Sequence, residues 1–515
     1  MIQLPSTPSA IYQWLNGNPL LGEHCFFWND RLGVPPMALV EELSQQPVDV
    51  WHAGLALGMG GKPALMDFVN PIWRFNKDPD IDLEATSWRL SLQACLVRSE
   101  VLQKLGGPVA QFQTMSGASL ELGYRWIRLG AIMRHRSDLV PANIPISGAP
   151  TPEDELRFVR LRFGRSWHHW AFGRALLTGY FSPRQSRNWW VTRKALPQLQ
   201  QKPLRSAKVG PMSATAQQIT VLIPTLQRYP YLFKLLRQLR KQTIQAHQII
   251  VVDQTPIAER QTAWPANFRD LPLEVIWQDE PGQCSSRNAG LNLATGDYIL
   301  FLDDDDQIPD NLIAAHLAFL ANHPADASCG IAHEVDAGAL PEDFTYPRDS
   351  DVFPTNNVLL RRTALRDSGL FDLAYERGSR ADGDLGMRLY LAGKQLLLNP
   401  AAEVIHLHVP RGGLRHHKAR LVTRANSRKS ISRRHLLAPT EAYLWHRFFT
   451  PRQISEACLI RSVATLKGNN VSGHRLLRIL LMILLLPVTI FQNRQRLQTG
   501  INMGKSFPQI PTYKN

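Results

Sequence analysis

The chain has 515 residues, of which 44% are hydrophobic and 20% are charged, so its composition is that of a globular protein with room for two or three domains. Five cysteines without CxxC spacing argue against a disulfide framework and favour a reducing compartment. The net charge of +15 indicates anionic partners, namely nucleic acid, anionic lipid or phosphorylated substrates. The opening stretch "MIQLPSTPSAIYQW" has no basic segment followed by an apolar one, so we do not expect secretion.

A long internal repeat joins the first 200 residues to the middle of the chain. Residues 95–131 align without gaps on residues 358–394, and ten of the 37 positions are identical. One long repeat predicts a duplicated piece of a domain, because a solenoid needs several short periods. The copies differ at Asp382, which corresponds to Ser119, and at Asp384, which corresponds to Glu121. The proline-containing stretch at 201–217 is typical of a linker.

Strands and helices alternate after this linker. The runs "ITVLIPT" (219–225), "QIIVVDQ" (248–254), "LEVIWQD" (273–279) and "DYILFLDDDD" (297–306) predict strands, and residues 231–243 have the spacing of an amphipathic helix. This order predicts an α/β fold with right-handed βαβ units and a parallel sheet. Ligands of such sheets bind beyond the carboxyl ends of the strands, where Thr225, Asp253 and the aspartates lie.

The four consecutive aspartates at 303–306 follow the fourth strand directly. Adjacent carboxylates repel one another, so a fold keeps them together when a cation binds among them or when water screens them. Asp303 and Asp305 form a D-x-D pair that suits a divalent cation. The alternative is a solvated acidic loop that caps the helix starting near Pro309. An EF-hand is excluded, because the required glycine and terminal glutamate are absent.

The ordered motifs "VLIPTLQRYP…IIVVDQ", "GQCSSRNAG", "FLDDDD", "LRRTALRDSGLFD" and "ADGDLGMRL" resemble those of the family 2 glycosyltransferases of GT-A fold. The resemblance covers roughly residues 218–420. It implies an inverting transfer of a sugar from a nucleotide-diphosphate sugar to a glycan or lipid-linked hydroxyl acceptor, in glycan or polysaccharide biosynthesis, with Mn²⁺ or Mg²⁺ as cofactor. Nucleic acid is not an expected partner of such an enzyme.

The resemblance also implies roles for single residues. Asp382 is the expected general base, Asp305 the main metal ligand, and Asp303 a ligand of the metal or the ribose, while His406 after the last strand is a candidate metal ligand. The residues expected to bind the donor are Thr225, Arg228, Asp253, Gly282, Arg287, Asn288, Asp303 and Asp304. Some of these residues have a structural alternative: Asp382, with Asp384, as a helix cap, Asp253 as a helix cap or turn residue, Arg287 as an ion-pair partner, and His406 as a structural histidine.

Two departures from the family pattern stand out. Gln254 and Thr255 replace the common acidic pair after the second strand, and Ala381 replaces the glutamate that precedes the base. The second departure leaves open a non-catalytic carbohydrate-binding or scaffold relative of the same fold. A nucleotidyltransferase is a third interpretation, but no glycine-rich phosphate loop with a lysine precedes the acidic pair.

The C-terminal part is basic and apolar in turn. Residues 411–434 carry nine Lys or Arg and no acid, and "ILLMILLLPVTIF" (479–491) is flanked by arginines but too short for a confident membrane span. This run is either a buried helix that ends near Pro487 or an interfacial helix on anionic headgroups. We therefore expect a cytoplasmic protein, peripheral at the inner face of the cell membrane in the second case.

The predicted domains are a degenerate GT-A-like partial domain (1–200), a linker (201–217), a catalytic GT-A domain (218–420) and a helical, basic C-terminal region (421–515). The N-terminal domain has no counterpart of the first strand and Thr225, so we expect no donor site in it. Its predicted role is to pack on the catalytic domain or to shape access of the acceptor.

Overall fold

The computed structural model describes residues 2–3, 7–18, 22–61, 64–141, 148–194, 201–204, 217–335, 338–407, 409, 431–466, 474–507 and 509–513. The strands are β1 (Ile2–Gln3), β2 (His24–Trp28), β3 (Val50–His52), β4 (Ala85–Thr86), β5 (Ala94–Arg98), β6 (Met133–His135), β7 (Ile219–Thr225), β8 (Gln248–Asp253), β9 (Leu273–Trp277), β10 (Tyr298–Leu302), β11 (Asp306–Gln307), β12 (Ala327–Glu334), β13 (Arg348–Asp349), β14 (Asn357–Arg361) and β15 (Leu396–His406). The helices are α1 (Pro8–Gly17), α2 (Met37–Ser44), α3 (Met66–Val69), α4 (Ser99–Leu105), α5 (Met115–Arg128), α6 (Pro152–Leu177), α7 (Arg187–Thr192), α8 (Tyr229–Leu239), α9 (Gln283–Leu293), α10 (Leu312–Asn322), α11 (Leu365–Ser368), α12 (Ala381–Leu391), α13 (Pro439–Phe448), α14 (Pro451–Ala464), α15 (Arg475–Leu484) and α16 (Leu486–Ser506).

The second sheet contains nine strands, eight of them in the order β11-β15-β12-β14-β10-β7-β8-β9, with β13 added beside β15. The four strands expected from the sequence, β7 to β10, are neighbours and run parallel, while β14 pairs antiparallel with β10. The segment after β7 forms helix α8, because its leucines at 232, 235, 236 and 239 recur at helical spacing and are buried on one face. The predicted α/β fold is confirmed, and it brings the carboxyl ends of β7, β8 and β10 to one edge.

The first sheet contains six strands in the order β1-β2-β5-β3-β6-β4. Its strand pairing matches that of the second sheet at the repeat distance. Ala85 of β4 pairs with His135 of β6, and Arg348 of β13 pairs with Leu398 of β15, so both partners lie 263 positions after their counterparts. Strand β5 lies antiparallel between β2 and β3, just as β14 lies antiparallel between β10 and β12. The gap-free sequence repeat therefore has a matching arrangement of strands.

The two copies face each other through the same elements. Helix α5 contacts β13, and helix α12 contacts β4. In the repeat, α5 corresponds to α12 and β4 corresponds to β13, so each copy contacts the other through the same two elements. A Cβ added at Gly130 would lie 2.7 Å from the carbonyl oxygen of Pro347, and one added at Gly393 would lie 2.6 Å from that of Glu84. Both pairs are separated by the repeat distance of 263, so the contact is self-complementary, as at a two-fold axis.

One hydrophobic core joins the N-terminal region to the rest of the chain. It contains Trp88 and Trp126 beside Met387 and Tyr390 of α12 and Trp445 of α13, and all five are buried. Burial of such large side chains stabilises the contact by about 2 kcal/mol each. The N-terminal region is thus packed against α12 and α13.

The C-terminal helices α15 and α16 expose much of the apolar run at 479–491. Large hydrophobic side chains that are at least 46% exposed are Leu476, Leu477, Leu480, Ile483, Leu484, Val488 and Phe491. Pro487 lies in the first turn of α16 and so starts a helix, where its missing N–H costs nothing. No described helix is by itself long and apolar enough to cross a membrane, whereas α15 and α16, bent by 61°, meet that criterion as a pair. This exposure contradicts the first of the two alternatives stated for this run, a buried helix that ends near Pro487.

Candidate active site

A cavity opens at the carboxyl ends of the parallel strands; we call it the strand-end cavity. Its lining residues are Pro224, Thr225, Leu226, Arg228, Gln254, Gly282, Gln283, Arg287, Asp303 and Asp304. Six of the residues expected at the donor site, which come from three different stretches of the chain, are therefore brought together. Gln254 lines the cavity as well, and its side-chain oxygen accepts a hydrogen bond from the Gly282 N–H. The sequence marks Gln254 only as a departure from the acidic pair.

Asp304 anchors the loop that follows β10. Its carboxylate accepts hydrogen bonds from the Thr225 hydroxyl at 2.8 Å and from Arg228 at 2.9 Å. Burial raises the pKa of Asp304 to about 6, although Arg228 opposes this shift. Thr225 and Arg228 thus hold the aspartate loop against the first strand of the sheet.

Asp303, Asp305 and His406 form a group with the chemistry of a metal site. One ligand atom from each lies within 4.8 Å of the other two. Oδ1 of Asp305 is buried and receives no hydrogen bond, although Arg228 Nη1 lies 3.1 Å away. A buried carboxylate oxygen without a hydrogen bond is costly, so two carboxylates and an imidazole at this spacing fit a divalent cation.

His406 is oriented by Asp306, which follows the D-x-D pair. The two side chains are hydrogen-bonded at 2.9 Å between Nδ1 and Oδ1. Burial disfavours the charged imidazole, but the hydrogen bond to Asp306 and the charges of Asp303, Asp306 and Asp305 outweigh it and raise the pKa of His406 to about 9. This is the same carboxylate–histidine pairing that orients ligating histidines in metal sites. His408 and the basic segment at 411–430 lie outside the described residues.

Arg287 faces the strand-end cavity from α9 and donates to Asp303 at 3.0 Å. Backbone N–H groups at the start of this helix are engaged, because the Glu376 carboxylate accepts hydrogen bonds from the backbone of Cys284 at 2.8 Å and of Ser285 at 2.9 Å. Glu376 is 92 positions from Cys284 in the chain, so no local motif announces this contact. The helix start therefore holds a carboxylate beside Gly282 in this structure.

Two residues expected to bind the donor have structural partners here. Both oxygens of Asp253 accept hydrogen bonds, from the Tyr229 hydroxyl and from the Thr255 N–H, and the residue is fully buried. The Asn288 side chain donates to the carbonyl of Phe371 and accepts from its N–H. Neither residue is among those that line the strand-end cavity. The turn interpretation of Asp253 agrees with this geometry.

Asp382 lies in the first turn of α12, is exposed, and has no hydrogen bond or ion pair within the described part of the chain. Arg380, just before the helix, has a left-handed backbone with φ of 83°, a conformation that costs a non-glycine residue energy. Neither aspartate caps the helix. The residue at the N-cap position is Arg380, and no side-chain hydrogen bond caps the helix there. Asp384 is buried and pairs with Arg388 at 2.8 Å and with Arg447 at 2.9 Å. The cap interpretation is therefore wrong for both.

A second cavity, of ≈ 180 Å³, lies where the N-terminal region meets α12 and α13; we call it the seam cavity. It is lined by Ile72, Arg74, Asp351, Val352, Phe353, Arg380, Asp382, Gly383, Met387, Glu441, Leu444, Trp445, Phe448 and Phe449. Asp382 is thus the acid of α12 that faces open space, and residues 72 and 74 are contributed by the N-terminal region.

Comparison with known proteins agrees with the motifs. The family model described as "Glycosyl transferase family 2" matches residues 220–365, which include β7 to β14 and the aspartate loop. The chain carries a family 2 glycosyltransferase domain. The matched segment ends before Asp382 and His406, so the model does not cover these two residues of the site.

Curated relatives of this glycosyltransferase domain resemble the chain over limited lengths. An uncharacterised glycosyltransferase, YwdF of Bacillus subtilis (strain 168), is 36% identical over 89 residues, which are 17% of this chain and 32% of that protein. The poly(ribitol-phosphate) beta-N-acetylglucosaminyltransferase TarS of Staphylococcus aureus (strain MW2) is 25% identical over 194 residues, which are 34% of this chain and 33% of TarS. The chain spans about a third or less of the length of the first curated relatives it matches.

Among solved structures, S. aureus TarS 1-349 in complex with UDP-GlcNAc is 18% identical, with a TM-score of 0.36 over 57% of this chain and 82% of that one. The mannosyltransferase PcManGT from Pyrobaculum calidifontis, solved with GDP-Man and Mn²⁺, is 17% identical, with a TM-score of 0.35 over 65% of this chain and 83% of that one.

Proposed function

We propose that this chain transfers a sugar from a nucleotide-diphosphate sugar to a hydroxyl acceptor, in glycan or polysaccharide biosynthesis. One observation carries the proposal: the strand-end cavity of a family 2 domain gathers Thr225, Arg228, Arg287 and the aspartate loop, the groups that a sugar diphosphate and its cation need. Donor recognition therefore falls to the ends of β7 and β10 and to α9.

A divalent cation at Asp303, Asp305 and His406, Mn²⁺ or Mg²⁺, would supply neutralisation of the charge that develops on the leaving diphosphate. Asp306 holds His406 in place, and Val409 donates its N–H to Asp305 at 3.0 Å. These contacts fix the orientation of the ligand side chains without using the buried Oδ1 of Asp305.

The transfer proceeds by a single displacement with inversion. The acceptor hydroxyl oxygen bonds to the anomeric carbon while the bond from that carbon to the phosphate oxygen breaks, and the nucleoside diphosphate leaves with the electron pair. The hydroxyl proton passes to Asp382, the exposed carboxylate of the seam cavity. Asp384 is excluded from this role because both of its oxygens serve Arg388 and Arg447.

The experiment is donor hydrolysis by the purified chain, measured as release of nucleoside diphosphate from a panel of UDP, GDP and dTDP sugars, with Mn²⁺ or Mg²⁺ and with chelator. We expect hydrolysis of one donor class that stops when chelator is added. Absence of both hydrolysis and donor binding across the panel with either cation would favour the alternative, a non-catalytic carbohydrate-binding or scaffold relative.

The N-terminal region, in this proposal, is a degenerate partial repeat of the acceptor-side half. Its support is the pairing of β4 with β6, which recurs at the repeat distance as that of β13 with β15, and its packing on α12 and α13. The domain limits at 200, 218 and 420 stay a prediction, and most of the expected linker lies outside the described residues.

The exposed face of α15 and α16 is the proposed membrane-binding surface. Seven large hydrophobic side chains lie on it, and Arg475, Arg494 and Arg496 flank it. An amphipathic helix of this kind lies in the headgroup region of an anionic leaflet, and each basic residue near it contributes about 1 kcal/mol. We thus place the protein on the cytoplasmic side of the cell membrane, bound peripherally.

Co-sedimentation with phosphatidylcholine vesicles that contain phosphatidylserine tests this surface. The double variant Leu477→Gln/Leu480→Gln should lose binding, whereas the matched control Leu177→Gln/Ile257→Gln, at side chains that are 81% and 71% exposed elsewhere, should keep it. Equal binding of both variants at high salt would contradict the proposal.

A further inference from the structure

The seam cavity combines an aromatic wall with two opposite charges. The side chains of Phe353, Trp445, Phe448 and Phe449 form the wall, and such rings suit the apolar face of a sugar or a lipid stem. Asp382 stands at one side of it. The N-terminal region, which the family model does not include, contributes Ile72 and Arg74 to the lining.

Arg74 is the charged side chain that the N-terminal region brings to this cavity. It is only 7% exposed, and its hydrogen bond to the Ser350 carbonyl is long, at 3.4 Å. Within the described residues, no carboxylate lies within ion-pairing distance of it. Burial lowers the pKa of Arg74, and the nearby charges of Asp351 and Asp382 only partly oppose this shift. A buried guanidinium in this state is stabilised by an anion.

The other charged groups of the cavity are already compensated. Asp351 pairs with Arg348 at 3.4 Å and with Arg128 at 3.5 Å, and its pKa is lowered although burial alone would raise it. Glu441 pairs with Arg380 at 2.7 Å and also with Arg461. Arg74 and Asp382 are the charged groups of the lining without such a partner in the part of the chain that is described.

Gly386 explains how Arg74 reaches this position. A Cβ at Gly386 would lie 2.5 Å from Arg74 Nη2, so the guanidinium lies directly against the helix backbone. Gly386 follows Asp382 by four residues, which places both on the same face of α12, about one helical turn or 5 to 6 Å apart. The guanidinium and the carboxylate are therefore presented side by side to one occupant.

We propose that the seam cavity is the acceptor site, and that Arg74 binds a negatively charged group of the acceptor, a phosphate or a carboxylate, one helical turn from the hydroxyl that Asp382 deprotonates. This inference rests on the proposed function and extends it to the class of acceptor. Arg74 is then a specificity-determining residue that the N-terminal region supplies to the catalytic domain.

Binding of three probes to the protein, without donor so that no transfer occurs, tests this assignment by calorimetry: glucose, glucose 6-phosphate and glucuronate. The wild-type chain should bind one or both anionic probes at least 10-fold more tightly than glucose. Phosphate and carboxylate are separated by which of the two binds. Loss of a charge-assisted contact of about 1.5 to 3 kcal/mol predicts that Arg74→Met weakens anionic binding about 10- to 100-fold and leaves that of glucose unchanged.

Arg31→Met, at an exposed arginine of the same region that does not line the cavity, is the matched control and should keep the preference. Arg74→Lys keeps the charge without the planar fork, so it should retain part of the preference, and it replaces Arg74→Met if that variant does not fold. A merely structural Arg74 would lower the melting temperature and leave the ratio of the affinities unchanged.

The inference is overturned if no anionic probe binds at about 10 mM, or if Arg74→Met lowers the affinity for glucose and the anionic probes alike. Its failure is distinct from that of the proposed function. Donor hydrolysis by the wild-type chain without any anion preference removes the acceptor class alone, whereas Arg74-dependent anion binding without donor hydrolysis removes the transferase.

Discussion

Residues 94–135 and 357–398 pair their strands in the same way and place the same helix against the other copy, yet at one matched position only the second copy presents an exposed carboxylate. At the matched position, Ser119 is 1% exposed and its hydroxyl accepts the Leu92 N–H, whereas Asp382 is exposed in the seam cavity. Glu121 and Asp384, which also differ in the sequence, do the same work: each is buried and holds the arginine four residues on. The two copies thus share their strand pairing and their buried acid–arginine pair, and they differ at the position of Ser119 and Asp382.

The largest expected effect is on the rate of transfer, when the proposed base Asp382 is replaced. Asp382→Asn keeps the shape and removes the basicity, so transfer should fall roughly 100- to 10,000-fold with donor affinity nearly unchanged. The matched change Ser119→Ala in the other copy should leave transfer within about two-fold. Steady-state kinetics and donor binding measure both. Normal turnover of Asp382→Asn would mean that the two copies do not differ in the way proposed.

The buried acid–arginine pairs should respond alike in both copies. Glu121→Gln leaves Arg125 and Arg162 without their carboxylate, and Asp384→Asn does the same to Arg388 and Arg447, so each should cost about 3 to 5 kcal/mol of unfolding free energy. Urea unfolding of the variants measures this.

A large loss at one copy only would show that the pairs are not equivalent.

The pair at Glu121 should also respond to acid. Burial would raise the pKa of Glu121, but Arg125 and Arg162 outweigh burial and lower the pKa, so acidification should weaken this pair only below pH 4.5.

Asp349 makes the contact between the copies sensitive to pH, because its counterpart in the repeat is Thr86, which does not titrate in this range. The two side chains are hydrogen-bonded at 3.1 Å. Burial raises the pKa of Asp349 from 3.8 to about 7, so the folded chain holds a proton that the unfolded chain releases near pH 4.

Stability should therefore fall as the pH rises from about 4 to 7, by roughly 2 to 4 kcal/mol for this group, and level off above. Asp349→Asn should flatten that part of the profile, as recorded by urea unfolding at several pH values. An unchanged slope in the variant would assign the pH dependence to other groups.

The smallest effect is expected for an ion pair that one copy has and the other lacks. Lys104 and Glu100 pair at exposed positions of α4, where the counterparts are Asp367 and Thr363. Lys104→Ala should change the unfolding free energy by no more than about 0.5 kcal/mol. A loss above 1 kcal/mol would show that this difference between the copies matters to the fold.

The four strands β7 to β10 and their parallel arrangement follow from the sequence because they depend on local patterns. The run 219–225 becomes β7 with the same bounds, and the offset of 263 also relates the pairing of β4 with β6 to that of β13 with β15. Thr225, Arg228 and Arg287 meet at one cavity because parallel strands end at one edge.

Contacts between distant residues do not follow in the same way. Glu376 at the start of α9, Arg74 against Gly386, and Arg447 beside Asp384 are contacts between residues whose spacing carries no period. Asn288 belongs to the expected motif, yet its amide serves the Phe371 backbone, since residue type alone does not fix where a side chain points. For Gly386, the sequence pattern that could have indicated a special position is its identity with Gly123 in the repeat.

The self-complementary contact at Gly130 and Gly393 has the form of a two-fold subunit interface, but both partners belong to one polypeptide. Two separate subunits come apart when they are diluted, because their association depends on protein concentration. Here the connecting chain keeps the two faces at a fixed effective concentration, so dilution does not separate them. Residues 72 and 74 consequently remain beside Asp382 at any amount of enzyme in the cell, and the seam cavity does not depend on assembly.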